Sequence, residues 1–408
     1  MSAIDVQIFD FVKRKALEVS SELREISLAI HCNPEIGFEE KFAHNLLTSF
    51  LEKKGFDVTR SACGMETAFI AKYSPENIIK EKEKIITTGF LSEYDALPKI
   101  GHACGHNLIC IAGIGSALIF KSVIDELGIT NLQIKLFGSP AEEGEGGKII
   151  FIENGAFKGI DFALMAHPGS LDIVYANFLA LQHFTCEYFG KAAHASASPW
   201  NGTNALDAQI LAYQNIACLR QQVLPYQRIH GIINYGGAAP NIIPDYTKSS
   251  WMCRSPTQVE VRILKDRLDK CFEASSNATG CKVELNTTSF FYEVKRNDSI
   301  TSVFKKWQEK QGVLYTSREF QESVSRGSTD MGNVSYVVPS IHPVFSIVDE
   351  DDPKPFPDIH TEPFREVAKS LKAHSKTLTC IVSLVMSALE ISFDKELLKK
   401  VKKEFLNN

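Results

Sequence analysis

Three apolar runs in the first half of the chain each lead into residues of the kind that bind metals. Residues 85–91 run into Ser92-Glu93-Tyr94-Asp95, residues 132–137 lead to Glu142 and Glu143, and residues 162–166 end on His167. Short apolar runs bounded by turn signals read as buried strands. Between them lie two helical segments. The first spans 107–127, where Ala112, Gly113, Gly115 and Ala117 permit close packing, and the second closes at the stop signal Asn154-Gly155. Strands alternating with helices from Lys84 to Asp172 predict an open α/β sheet, which gathers its ligands beyond the carboxyl ends of its strands. Asp95, Glu143 and His167 all fall there.

The rhythm changes after about residue 178. Residues 181–189 read as a strand, 203–222 as a helix, and 228–235 and 246–253 as strands. A helix with Ser255 as N-cap and Pro256 at its first position runs to about Asn277 and precedes a strand at 282–287. The order β-α-β-β-α-β is that of a ferredoxin-like sandwich. From Val294 long helices resume, with one apolar strand at 343–348. The expected division is a catalytic α/β domain from 1–178 and 295–408, with 179–294 inserted as a ferredoxin-like (α+β) lid. A length of 408 residues, more than one core usually holds, favours the same split. The acidic, Pro-rich stretch 349–358 reads as a surface loop delivering His360 to Thr361, the N-cap of the last helical region. Residues 378–391 read as a buried helix, too short to span a bilayer, ahead of a charged tail at 394–408.

The chemistry concentrates in Gly101-His102-Ala103-Cys104-Gly105-His106-Asn107 and in the Glu pair. Cys104 and His106, two apart on a Gly-flanked turn, bring a thiolate and an imidazole to one or two cations. An isolated pair of this kind is more often a buried thiol beside a surface histidine. The presence of Glu143, His167 and His360 tips the reading to a metal site. By spacing alone His102 competes with His106. Glu142 and Glu143, with Glu145 close by, also fit a solvated acidic run. Their place behind a strand in a Gly-rich turn argues instead for one carboxylate that binds and one that handles a proton.

Other classes are disfavoured. A formal charge of -5 and the lack of a Lys/Arg stripe argue against nucleic acid. Ten cysteines without a CxxC pair read as reduced thiols. The first fifteen residues, broken by Asp5, Asp10, Lys13, Arg14 and Lys15, lack a signal-peptide core. The expectation is a cytoplasmic protein with no membrane partner.

Five ordered segments carry a family resemblance: Ser92-Glu93-Tyr94-Asp95-Ala96-Leu97-Pro98, His102 to Asn107, Pro140-Ala141-Glu142-Glu143-Gly144, Gly190-Lys191-Ala192-Ala193-His194-Ala195, and Gly236 to Pro244. Together the chain resembles the M20 metallopeptidases over about residues 20–390, and within them the amidohydrolase branch that includes the aminobenzoyl-glutamate hydrolases. The resemblance implies two divalent metal ions held by Cys104, His106, Glu143, His167 and His360, with Glu142 as general base and Asp95 orienting a ligand. Cys104 stands where peptidase branches use a bridging Asp. Since a thiolate favours zinc, zinc leads and manganese follows. His194, by itself a surface-loop histidine, becomes the oxyanion donor, often from the partner subunit of a homodimer formed through the lid. Arg254 receives the substrate carboxylate and Asn241 the amide. Asp330 reads an amine or caps a turn, with equal weight. The implied activity is hydrolysis of an amide bond in a small dipeptide-like or N-acyl amino acid substrate, such as β-alanyl-lysine-type dipeptides or aminobenzoyl-glutamate. A non-catalytic scaffold of the same fold is the rival from another class; loss of Glu142 or a ligand would mark it, and none is lost. A redox thiol protein centred on Cys104 lacks a resolving cysteine at CxxC spacing.

Overall fold

A computed structural model describes residues 3–79, 81, 85–324, 327–349, 351–352 and 354–407. Met1 and Ser2, Lys84 at the expected start of the α/β alternation, Glu350 and Pro353 of the acidic loop, and Asn408 lie outside the described residues. The chain forms two compact units, one from Met1–Asn177, Val294–Arg326 and Asn333–Asn408, the other from Phe178–Glu293 and Gly327–Gly332.

The first unit is built on a six-stranded sheet. Its strands are β1 (Asp57–Arg60), β2 (Phe69–Tyr73), β3 (Ile86–Glu93), β4 (Leu132–Ser139), β5 (Phe162–Leu164) and, later in the chain, β11 (Ser340–Ile341), in the order β1-β2-β4-β3-β5-β11. The four strands from β4 to β11 are parallel, while β1 and β2 run antiparallel at one edge. Strands β3 and β4 pair from Ile86↔Leu132 to Glu93↔Ser139, so their carboxyl ends are level. That register brings the loop after each to one edge.

The helix His106–Glu126 starts at Gly105, whose φ of +79° suits glycine and where a Cβ would sit 2.6 Å from Pro168 Cγ. The chain therefore passes close to His167-Pro168 as the helix begins. Farther along, a Cβ on Gly113 would lie 2.2 Å from Ser92 Oγ and 2.3 Å from the Leu91 carbonyl oxygen. Only glycine lets this helix lie so close to β3. The helix is buried almost throughout, and Leu371–Phe393 packs beside it. Both are long and apolar enough to cross a membrane by length and composition, so the second exceeds the short 378–391 segment expected from sequence. Burial of 89% and 72% of their most apolar windows makes them core helices.

Elsewhere the structure departs from expectation in small, explicable ways. The chain leaves the main sheet after Leu164, and His167 opens a second short strand, β6 (His167–Gly169), paired in parallel with β12 (Val344–Ser346). The expected strand at 343–348 shortens to β12: Pro343 has no N–H to give a ladder, and after Ser346 the chain turns onto that residue's own side chain, whose hydroxyl donates to the Val348 carbonyl at 2.8 Å and accepts from Val348 N–H at 3.2 Å. The charged tail is a helix, Lys395–Asn407, docked by Glu404, which accepts from Ser299 N–H at 3.0 Å, and by Asn297 Nδ2, which donates to the Val401 carbonyl at 2.9 Å. Three helices before residue 54, Ala3–Glu18, Ser20–Cys32 and Lys41–Lys53, complete the unit.

The second unit is an antiparallel sheet of β7 (Ala180–Phe189), β8 (Arg228–Tyr235), β9 (Tyr246–Ser255) and β10 (Lys282–Phe291), ordered β10-β7-β9-β8. Strict alternation along β9 turns Trp251 and Cys253 inward with Phe184 and Phe272, beneath helices Ala205–Leu219 and Gln258–Thr279. The second helix is capped by Thr257, whose hydroxyl accepts from Glu260 N–H at 3.3 Å. Ser255, expected as the cap, ends β9 instead and donates to Glu260 Oε2 at 2.8 Å.

Substitution Gly113→Ala should lower stability by about 1–3 kcal/mol, the usual cost of overpacking a closed core. Denaturant unfolding that shows no loss would contradict the contact between this helix and β3.

Candidate metal centre

Beyond the level ends of β3 and β4 the chain assembles an acidic, buried cluster. Asp95 follows β3, with Oδ1 3.1 Å from His106 Nδ1 and Oδ2 accepting from Glu143 N–H at 2.9 Å. One carboxylate thus ties together the loop after β3, the start of helix His106–Glu126 and the loop after β4. With Nδ1 engaged, His106 Nε2 is the nitrogen left to bind a ligand. It lies 3.7 Å from Glu143 Oε1, 3.8 Å from Glu142 Oε2 and 3.7 Å from Glu93 Oε2.

Cys104 Sγ lies 3.4 Å from His167 Nε2, while His167 Nδ1 faces the Pro168 carbonyl at 2.6 Å. His360 Nε2 lies 3.6 Å from Glu143 Oε2. Its backbone has φ +66° and donates to the Ala103 carbonyl at 2.8 Å, and Thr361 caps the next helix through Phe364 N–H. The arrangement yields three sets of donor atoms, each within 4.8 Å of one another: Cys104, His106 and His167; Cys104, Glu143 and His360; and Glu93, His106 and Glu142. The first two share Cys104.

The electrostatics favour a cation. Burial raises the Glu143 carboxyl to about 7, with His106 opposing and Asp95 adding to the shift. Burial also lifts the Cys104 thiol well above its usual range, helped by the Glu143 charge. Burial alone would lower the His106 pKa, yet Asp95 and Cys104 outweigh it and hold it well above that of an ordinary imidazole. His106 Nε2 and Glu143 Oε1 are buried with no hydrogen-bond partner among the described residues. A thiolate, imidazoles and carboxylates with such atoms left over make a donor set suited to a borderline cation such as zinc.

His102, the competitor by spacing, is buried beside His31 at a ring-centroid distance of 6.1 Å and belongs to none of these sets; burial pushes its pKa down to about 3. Several neighbours of the cluster were not evident from the sequence. Glu93 is ion-paired with Lys148, both fully buried. His342 stacks edge-on to His167 at 5.7 Å. Glu40 accepts from Ala141 N–H at 2.9 Å. Glu93 obeyed the same strand-end rule that singled out Asp95. The others carried no local signal.

The remaining sequence-predicted residues lie in the second unit. On exposed His194, Nδ1 accepts from Ser196 N–H at 3.3 Å and Ala197 N–H at 3.2 Å, which leaves Nε2 as the ring nitrogen that donates. The loop is tied to Asn241 by Ala195 N–H donating to the Asn241 carbonyl at 3.0 Å. Arg254 emerges from the half-exposed face of β9, donating to Ser328 Oγ at 3.0 Å, with Nε 3.4 Å from His230 Nε2. Asp330 is fully buried in the segment Gly327–Gly332 of the same unit.

A family model described as a peptidase dimerisation domain matches residues 181–279. The chain is 39% identical to the Xaa-Arg dipeptidase of Mus musculus over 405 residues, covering 97% of this chain and 92% of that one. It is 30% identical over 297 residues to a p-aminobenzoyl-glutamate hydrolase polypeptide of Escherichia coli (strain K12), covering 68% and 60%. Among solved structures, an aminobenzoyl-glutamate utilization protein from Klebsiella pneumoniae shares the fold at TM-score 0.71 and 15% identity, covering 94% of this chain and 99% of its own. A dinuclear metal binding peptidase of the M20 family from Bacillus subtilis does so at 0.63 and 16%, covering 91% and 99%.

Substitution Asp95→Asn removes the charge that orients both His106 and Glu143. It should weaken divalent-cation binding about 10–100-fold, the usual effect of losing such a supporting carboxylate. Chelator competition that returns the wild-type affinity would sever Asp95 from the site.

Proposed function

The chain belongs to the M20 metallopeptidase family, and from that premise we propose that it is a dinuclear enzyme cleaving dipeptides with a basic C-terminal residue. Hydrolysis of a dipeptide-like or N-acyl amino acid amide is the activity of its kind; the substrate, the metals and the role of each residue are our reading. What carries it is the meeting of Cys104, His106, Glu143, His167 and His360 in two donor sets that share Cys104, with Glu142 on the same turn. Identity of 39% to the Xaa-Arg dipeptidase over nearly the whole chain supports the substrate class.

Cys104, His106 and His167 would hold one ion and Cys104, Glu143 and His360 the other, zinc before manganese because of the thiolate. When bound, such ions supply Lewis acidity to the scissile carbonyl and to a water. Glu142 takes the proton of the attacking water and returns it to the leaving amine. His194 donates from Nε2 to the oxyanion of the tetrahedral intermediate, a role supported by the tautomer its Nδ1 partners enforce. Arg254 pairs with the free carboxylate of the substrate and Asn241 holds its amide. Asp330 either reads a substrate amine or caps its turn. The match to a dimerisation domain supports a homodimer in which His194 serves the partner's site. Ten free cysteines support a reducing, cytoplasmic setting. A second reading, hydrolysis of aminobenzoyl-glutamate or a similar N-acyl amino acid, draws on the E. coli and Klebsiella relatives.

Assayed with zinc or manganese on a panel of Xaa-Arg, β-alanyl-lysine and p-aminobenzoyl-glutamate, the enzyme should favour the basic dipeptides. Preferential release of aminobenzoate would install the second reading instead. Glu142→Gln should cut turnover at least about a hundredfold, the usual contribution of a general base, with metal content retained. Near-normal turnover in the metal-loaded variant would remove Glu142 from the mechanism.

His194→Ala should lose roughly 3 kcal/mol of transition-state stabilisation while staying dimeric. Mixed with inactive E142Q, it should regain activity, since each hybrid dimer holds one site with both groups intact. Hybrids proven by mass spectrometry yet inactive would confine His194 to its own subunit or exclude it.

A further inference from the structure

The turn that carries Glu142 is held by a carboxylate that has no part in the chemistry proposed so far. Glu40 is fully buried at the start of helix Lys41–Lys53. Its Oε1 accepts from Ala141 N–H at 2.9 Å and its Oε2 accepts from the Thr67 hydroxyl at 2.6 Å. The Thr67 carbonyl in turn accepts from the hydroxyl of Tyr94, the residue before Asp95, at 2.5 Å. Glu40 and Thr67 therefore link the two loops that meet at the metal centre.

Ala141 is the strained member of this link. Its φ of +58° lies in the left-handed region, which a side chain bearing a Cβ adopts only when its surroundings hold it there. The turn is closed on its other side by Gly146 N–H, which donates to the Ala141 carbonyl at 2.8 Å. Against it lies Gly37, where a Cβ would come within 2.9 Å of both Ala141 Cα and Cβ. Glu142 follows directly, so the torsions of Ala141 set the direction in which its carboxylate points.

We infer that Glu40 is a positioning residue for proton transfer: it clamps Ala141 in the left-handed conformation and thereby aims Glu142. This rests on Glu142 being the general base.

The test measures kcat and KM of the full-length, metal-loaded enzyme on the dipeptide of the panel that wild type turns over best, with metal content checked for each variant. E40A should lower kcat about tenfold, as expected on losing the buried acceptor that holds Ala141 N–H, while KM and metal content hold. E40Q, whose amide oxygen still accepts from Ala141 N–H, should stay within about threefold of wild type. E40M fills the same volume without the acceptor and should behave as E40A does, which keeps the test open if the alanine cavity unfolds the chain.

The discriminating measurement uses Ala141→Gly. Glycine takes a positive φ unaided, so in the A141G background E40A should cost no more than about threefold. A loss equal in both backgrounds, or one carried by KM or by metal content, would make Glu40 a packing residue and overturn the inference. So would a further full loss when E40A is added to E142Q, since a residue acting through Glu142 has nothing left to aim. An E142Q variant that stays active removes the base assignment itself, whatever the A141G comparison returns, so the two failures are distinct.

Discussion

The structure turns on a concentration of buried negative charge. Glu93, Asp95, Glu142 and Glu143 gather with Cys104 at one edge of the sheet, where water offers little screening and an isolated charge is costly. Two compensations come from the chain. Lys148 pairs with Glu93, and His106 is held protonation-prone by Asp95. Burial still raises the pKa of the Glu143 carboxyl and of the Cys104 thiol, so each charge left in the cluster is relieved either by a proton or by a bound cation. The fold makes this tolerable by burying the cluster between the ends of rigid strands rather than on a free loop.

Much of that was legible in the chain. Strand-end placement singled out Asp95, Glu143 and His167, and the Gly-flanked turn singled out Cys104 and His106, because each signal is local: a run of apolar residues, then a break, then a donor. The β-α-β-β-α-β order of the second unit was readable for the same reason. What escaped was long-range. Glu40 meets Ala141 across a separation of 101 residues and Lys148 meets Glu93 across 55, and no periodicity encodes such pairings. The choice of His106 over His102 likewise depended on which ring the backbone turned toward Asp95, which spacing does not reveal. Ser255 failed as a cap because β9 ran two residues farther than its apolar pattern suggested.

The two units differ in physical character. The first holds charges that must not move, and it anchors them with backbone donors and neighbouring carboxylates. In the second, two of the residues singled out by sequence are placed as donors. His194 has its tautomer fixed by two backbone N–H groups, and Arg254 stands on the half-exposed face of a sheet whose other face is packed under two helices.

The level register of β3 and β4 has a consequence for how such a chain can diverge. Both strands are central to the sheet, and deleting one residue from either would turn its side chains to the opposite face and pull Asp95 out of step with Glu143. The connections at the amino ends of β4 and β5, around Gly128 and Gly155, carry none of these residues. A change of length at that end leaves the register of Asp95 and Glu143 untouched, so the sheet acts as a ratchet for sequence drift: open to lengthening on one edge, locked residue for residue on the other.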